Sequence, residues 1–385
     1  MHSSNRRRFL RVIGGGAIFV ATATLASCGN MPDEAVEGWA GPTNDEADPR
    51  RRALSYALLS PNPHNLQSWL VDLRQADHVT LYIDKSRLLP MTDPFSRQIT
   101  IGCGCFLETM KLAAQLDGFA CAIELFPENM AGVEIGLHPV AKVKFIKATA
   151  FDELGLASQI LMRRSNKGEY DKSEVLSEQE SNALLSVNEN SEALKISVIE
   201  SSQIVTQVAD LALQAFRVEV DTDRTFLESV RKMRVGTEEI LRHRDGLSMI
   251  GVSYYWFDKL GLMSEESQMK KGGQARNIAR QLLDKEIAST NNYGILQTKG
   301  NDRLAQIEAG RAYVRINLKA TQLGVAMTPI SQILQEYAEM RELQSRFLSA
   351  LDIPASDTVQ ILFRLGKASP APMTPRRRLD DLLIK

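Results

Sequence analysis

Two cationic stretches stand out in a chain whose charges otherwise balance: Arg163-Arg164-Ser165-Asn166-Lys167 and Arg376-Arg377-Arg378. Arginine offers a planar fork of N–H donors and lysine a compact point charge, so both suit an anion such as a phosphate. Arg163 falls where a predicted helix breaks, so N–H groups of a following helix can add to such a site. A third stretch, Pro61-Asn62-Pro63-His64-Asn65-Leu66-Gln67, sets two side-chain amides in a proline-rich turn. Asn65 and Gln67 can each donate and accept hydrogen bonds. Plainer roles compete with these: a solvated helix end for Arg163-Arg164, an exposed tail or a patch facing anionic lipid for Arg376–Arg378, a turn cap for Asn65. The five histidines are scattered, with no zinc-type spacing. No acid–base or nucleophile constellation stands out. Beyond Cys28 the cysteines are Cys103, Cys105 and Cys121. These read as buried thiols, or as a bridge from Cys121 to one of the other two, and not as a disulfide framework.

The elements that must position these residues follow from periodicity. Residues 51–59 carry Ala53, Leu54, Ala57 and Leu58 on one helical stripe, stopped by Ser60-Pro61-Asn62-Pro63. Strands are predicted at 69–73, at 79–83 with period-two alternation, at 121–126 and at 140–146. A buried helix is predicted at 103–116, ended by Gly118, and further helices at 151–162, 174–187 and 202–218. Residues 304–323 form the strongest helix candidate, with Ile307, Gly310, Val314 and Leu318 on one face and Gly324 as its stop. Residues 359–365 read as a terminal strand. The aromatics Tyr254, Tyr255, Trp256 and Phe257 read as core. Helices outnumber strands and alternate with them, which gives an α+β class or an α/β-type sandwich. With 46 Lys+Arg against 47 Asp+Glu, nothing supports nucleic-acid binding.

The first 28 residues read as a targeting segment. Arg6, Arg7, Arg8 and Arg11 precede a short apolar run softened by Gly14, Gly15 and Gly16, and Leu25-Ala26-Ser27-Cys28 follows. The run is too short and too glycine-rich for a transmembrane anchor. Asn5-Arg6-Arg7-Arg8-Phe9-Leu10-Arg11 resembles a twin-arginine signal, and Leu-Ala-Ser-Cys resembles a lipobox with Cys28 as the lipidated residue. A plain signal cut elsewhere is the alternative. Residues 29–48 read as a flexible, solvated tether. The expected organisation is a first half at 49–150 and a second half with a C-terminal arm at 151–385.

Residues 58–69, Leu-Leu-Ser-Pro-Asn-Pro-His-Asn-Leu-Gln-Ser-Trp, resemble the Ala-Pro-Ser-Ser-x-Asn-x-Gln-Pro-Trp loop of flavin-dependent nitroreductases. Asp84, Arg87, Asp93, Arg97 and Gly102 resemble the Acg-type branch of that superfamily. Arg163-Arg164-Ser165-Asn166-Lys167 resembles its Arg-Arg-Ser-x-Arg/Lys signature, and Phe363-Arg364-Leu365-Gly366 with Arg376–Arg378 its C-terminal end. The chain departs from the pattern where Asn62 and Pro63 replace the loop serines and Ser68 a proline.

Several expectations follow from the resemblance. In ordinary nitroreductases the basic motif precedes the loop, two chains pair, and each FMN sits between them. Here the loop comes first, which implies a nitroreductase-like fold of two tandem half-domains forming an intrachain pseudo-dimer, monomeric, with one FMN per chain. Pro61, Asn62, Pro63, Asn65 and Gln67 would face the cofactor from the front half. Arg163, Arg164, Ser165, Arg376 and Arg378 would hold its phosphate. Lys167 would face the ring's developing negative charge, and the backbone of Thr328, Pro329 and Ile330 would meet the hydride-accepting N5. The implied activity is an FMN-dependent, NAD(P)H-type oxidoreductase passing hydride to a nitroaromatic or quinone-like acceptor, with no catalytic side chain needed because the flavin carries the chemistry. Export implies a periplasmic, lipid-anchored protein, for which a membrane quinol is an alternative donor to NAD(P)H. A low-turnover protein that stores or senses FMN is the competing reading, with residues 244–263 as a lid. A flavin-free structural lipoprotein is the third.

Overall fold

The computed structural model describes residues 30–128, 135–136, 138–188 and 194–385. The targeting segment and Cys28 lie outside the described residues.

The front half is a four-stranded antiparallel sheet. Its strands are β1 (Trp69–Asp72), β2 (His78–Ile83), β3 (Phe119–Leu125) and β4 (Ala141–Lys147), in the spatial order β1-β2-β4-β3. β2 alternates half-buried and buried residues along its length, so this sheet is apolar on one face. Between β2 and β3 runs a long front helix, Arg97–Leu116. Most of its residues are buried on every side, as expected of a helix apolar all round. Ser96 does not cap it through its side chain. The Asp93 carboxylate accepts from the N–H groups of Gln98 and Ile99 at 3.1 and 3.0 Å instead.

The back half repeats this plan. β5 (Leu194–Ile199) opens it. A long insertion then holds the short parallel pair β6 (Met233–Val235) and β7 (Leu247–Met249). β8 (Asn292–Lys299), β9 (Ala326–Pro329) and β10 (Asp357–Gly366) complete a second antiparallel sheet, ordered β5-β8-β10-β9. A back helix, Arg303–Gln322, joins β8 to β9 just as the front helix joins β2 to β3, and Asp302 caps it through Ala305 N at 2.8 Å. The two sheets therefore share one strand order and one connectivity.

The halves meet where the two long helices cross. A methyl group on Gly104 would overlap the carbonyl oxygen of Ile307, and one on Gly310 would overlap that of Ile101. One sequence offset carries Arg97 onto Arg303, Ile101 onto Ile307 and Gly104 onto Gly310. The arginines trade places accordingly: Arg97 donates to Val359 O and Gln360 O in the back sheet at 3.2 Å each, and Arg303 to Thr100 Oγ1 in the front helix at 3.0 Å. The chain thus contains its own pseudo-dimer. Beside the crossing, the buried Glu108 carboxylate accepts from Arg311 at 2.8 Å and Arg315 at 2.9 Å.

Three sequence expectations need correction. The expected tether is packed: Asp33–Val36 is helical and Glu37–Ala40 a 3-10 turn, with Ala35, Val36 and Trp39 buried. Trp39 Nε1 donates to Thr374 O at 2.8 Å, and Arg376 N to Ala35 O at 2.9 Å. A polar average over 29–48 hides these apolar residues, and their partner lies at the far end of the chain. The helix expected over 151–162 is only Leu154–Ala157, because turns take over before the basic motif. The aromatics 254–257 belong to the helix Val252–Lys259, which has no buried residue at all.

Candidate functional site

The front loop follows the helix Pro49–Ala57 and enters β1. It turns sharply, with positive φ at His64, Asn65 and Gln67, a region that asparagine and histidine enter more readily than most residues. Asn62 closes the loop: its Oδ1 accepts from Gln67 N at 2.8 Å and its Nδ2 donates to Ser60 O at 3.1 Å. Asn62 therefore serves the backbone shape of the loop. Pro63 and Asn62 rest against Gly102 of the front helix, where a Cβ would meet them at 3.5 Å.

The C-terminal arm brings back-half residues to this loop. From β10 it passes the basic motif, where Asn166 Nδ2 donates to Ser369 O at 2.8 Å, and then Trp39. At the loop, Asn65 Nδ2 donates to Pro375 O at 3.0 Å and Asn65 Oδ1 accepts from Arg376 Nη1 at 2.5 Å. Gln67 is fully buried. Its Oε1 accepts from Arg377 N at 2.8 Å and its Nε2 donates to Arg244 O at 2.9 Å. These bonds occupy both ends of the amide, so Gln67 fixes the arm and the insertion to the loop. The arm ends on the free edge of β1, with Val71 N donating to Leu382 O and Ile384 N to Val71 O, both at 2.8 Å.

Arg163, Arg164 and Arg376 converge on the Trp39 ring, with guanidinium carbons 5.7, 3.9 and 5.0 Å from its centroid. Arg163 donates to Asn317 Oδ1 at 2.9 Å and Leu59 O at 2.6 Å, and Arg376 Nη2 shares that same carbonyl at 3.3 Å. Arg164 donates to the carbonyls of Leu161 and Arg163. Every one of these acceptors is neutral. Burial lowers the Arg163 guanidinium to about 10. Burial, reinforced by the Arg163 and Arg164 charges, pushes Arg376 well below its ordinary value. Arg376 Nε is buried with no hydrogen-bond partner. Three crowded cations with neutral acceptors and an idle donor have the chemistry that suits an anion.

A second group lies on the back sheet. Thr328 faces Arg364 in the β9–β10 ladder. Both are buried, and Thr328 Oγ1 and Arg364 Nη1 each lack a hydrogen-bond partner, although Arg364 Nη1 stands 3.6 Å from Glu286. Arg364 stacks 3.9 Å over the Tyr170 ring and donates to Thr290 Oγ1 at 2.7 Å. Ile330 is buried, its N–H committed to Leu362 O, whereas Pro329 is exposed. Asn166 N donates to Met327 O at 3.0 Å, joining the basic motif to β9. Ser165 is half-buried, and Lys167 is exposed with its charge acting on both His64 and Glu286. His64 is pushed down to about 4 by burial and then by Lys167 and Lys232.

The structure therefore brings together Asn65, Arg163, Arg164 and Arg376, and ties Asn62 and Gln67 in behind them. It separates Arg378, whose side chain is exposed and 3.6 Å from Glu37. Sequence reasoning passed over Trp39 and Asn317, and it named Arg364 and Arg377 within motifs without giving either a site role of its own. Arg364 carried a signal: a charge inside an apolar strand run at a position buried on both faces. The insertion closes over the loop as well. Gly246 N donates to Asn65 O at 3.1 Å, His64 Nε2 lies 3.1 Å from Ser229 Oγ, and Arg87 pairs with Asp245.

No family model matches the chain. The acg protein of Mycobacterium tuberculosis, whose name provisionally assigns it to the NAD(P)H nitroreductases, is 25% identical over 351 residues, covering 86% of this chain and 94% of the relative. A second protein of that organism, provisionally named in the same way, is 23% identical over 362 residues, covering 88% and 92%. Among solved structures, the FMN- and NADPH-dependent nitroreductase NfnB from Sphigopyxis sp. strain HMH is 14% identical with a TM-score of 0.38, covering 60% of this chain and 98% of that one.

Proposed function

We propose that the chain is an FMN-dependent oxidoreductase of nitroreductase type, holding one FMN between its halves. The observation that carries this reading is the cluster of Arg163, Arg164 and Arg376, served only by neutral acceptors and with Arg376 Nε idle. It fits a phosphate, and Thr328 Oγ1 and Arg364 Nη1 offer a further donor pair for a polar ring edge. The similarity to the acg protein over most of both chains points the same way.

When bound, FMN supplies hydride acceptance at N5 and release of two electrons to a nitroaromatic or quinone-like acceptor. The chain's residues bind, orient and exclude water. Arg163 and Arg376 neutralise the phosphate, Lys167 stands free to favour negative charge near the ring, and β9 presents the unpartnered Thr328 hydroxyl. Asn65 holds Arg376 in place, and Gln67 holds the arm. Export by the twin-arginine route, with a lipid on Cys28, belongs to the same reading. It makes a membrane quinol a second donor class beside NAD(P)H.

The absorbance spectrum of the purified protein and titration with FMN against riboflavin test the proposal. The expected result is one flavin per chain, with riboflavin binding roughly 100-fold or more weaker for want of the phosphate contacts. Equal affinity for the two, or two flavins per chain, overturns it. A low-turnover FMN store is the second reading, favoured by the insertion that bonds to the loop at Asn65, His64 and Gln67. Stopped-flow reduction by NADPH and by a quinol analogue separates them: an oxidoreductase bleaches its flavin in seconds with one of the two, whereas a store stays oxidised for minutes with both.

A further inference from the structure

The helix Val252–Lys259 inverts the usual order of a surface helix. Val252, Trp256 and Leu260 follow one another at four-residue spacing and are 51%, 50% and 67% exposed, with Leu262 at 42% beside them. Tyr254, Tyr255 and Phe257 are half-buried, and no residue of the helix is buried. Isolated exposed apolar residues are ordinary, but a contiguous stripe of this kind marks an interaction surface. We propose that this helix is a membrane-interface contact, lying in the headgroup region with Val252, Trp256, Leu260 and Leu262 directed into the acyl boundary.

Three observations favour a bilayer. Tryptophan and tyrosine with a neighbouring lysine suit the membrane–water boundary, where a ring is half apolar and half wet, and Lys259 lies 5.7 Å over the Tyr255 ring. The patch holds one acid and one base, Asp258 and Lys259, so its attraction is apolar and not coulombic. Where Cys28 carries a lipid, as proposed above, the described chain begins two residues after the anchor, and Glu37 in its first turns pairs with Arg244 of the same insertion at 2.5 Å. Only this last argument rests on the export reading.

The test uses the full chain and the chain with Cys28→Ser, mixed with phosphatidylcholine vesicles whose acyl chains carry bromine near the headgroup end. The chain has three tryptophans, and Trp39 and Trp69 are buried, so Trp256 is the exposed reporter. The expected result is a blue shift and quenching of tryptophan emission in both chains, unchanged from low to high salt and abolished by Trp256→Phe. Leu260→Glu with Val252→Glu is expected to weaken vesicle binding of the Cys28→Ser chain roughly tenfold or more. No bromine-dependent quenching in either chain overturns the proposal, as does sedimentation showing that the patch is buried between two copies without lipid. Flavin absorbance, read on the same samples, reports the cofactor proposal separately, and quenching that persists in Cys28→Ser stands whether or not the anchor exists.

Discussion

The two halves share a strand order but differ in what covers it. The front sheet joins β1 to β2 through residues 73–77 and buries one face. The back sheet spends residues 200–291 between the equivalent strands β5 and β8 and is buried on both. In β10, Ile361, Phe363 and Leu365 face the helix crossing, and Leu362 faces a second core with Ile199, Tyr293 and Ile295. The shared part sets the two long helices across one another, and the added part bonds to the front loop at His64, Asn65 and Gln67. The front half lends a loop, and the back half lends the cations, the arm and the cover.

The sharpest way to break this comparison is at the crossing. Gly104→Ala and Gly310→Ala each drive a methyl group into a carbonyl of the opposite helix. Each is expected to cost about 3 kcal/mol or more in denaturant unfolding, because backbone on both sides must move. Near-equal costs express the pseudo-symmetry. A large cost for one and none for the other would mean that the halves do not meet equivalently.

The next test weighs the cations that the back half contributes. Arg376→Leu is expected to weaken FMN binding by roughly 10- to 100-fold, the range for lost charge-assisted hydrogen bonds, while leaving riboflavin affinity nearly unchanged. Isothermal titration with both ligands reads the difference. An equal loss for the two would make Arg376 a prop for Asn65 and not a phosphate ligand.

What the sequence disclosed follows the same division. The front strands and both crossing helices were legible because period-two and period-3.6 patterns are local. The order of loop and basic motif disclosed the tandem halves. Trp39 was not legible, since its value depends on Thr374 and three arginines remote in sequence. Gln67 was legible as an amide but not as a tie, because Arg377 N and Arg244 O reach it only in the folded chain. The aromatic helix misled for a physical reason: composition reports apolarity, and burial needs a covering partner, whereas among the described residues this helix is covered only in part.

A smaller contrast concerns pH. Burial alone would raise Glu108, but Arg311, Lys111 and Arg315 outweigh it, and its carboxyl is held below the ordinary value. Glu219, in the insertion, is raised by burial, which hydrogen bonds from Gln335, Ser229 and Gln332 offset only in part. The signs are opposite. Glu108 contributes stability above the unfolded value of about 4.3, lost as pH falls through its lowered folded value. Glu219 contributes stability below about 4.3, lost as pH rises through its raised folded value. Hydrogen exchange is therefore expected to show the helix crossing tightening from acid toward neutral pH while residues 202–231 loosen. Parallel changes in both regions would mean that these carboxylates do not govern them.

The smallest expected effect separates two arginines two residues apart. Arg376 is buried against Asn65 and Trp39, whereas Arg378 is exposed beside Glu37. A surface charge facing a carboxylate across 3.6 Å is screened by solvent and contributes a fraction of a kcal/mol. Arg378→Ala is expected to change stability by less than about 0.5 kcal/mol and FMN affinity by less than about twofold. A loss in Arg378→Ala as large as that in Arg376→Leu would move the phosphate to the outer edge of the arm, and the crowding of three guanidiniums around Trp39 would then need another explanation.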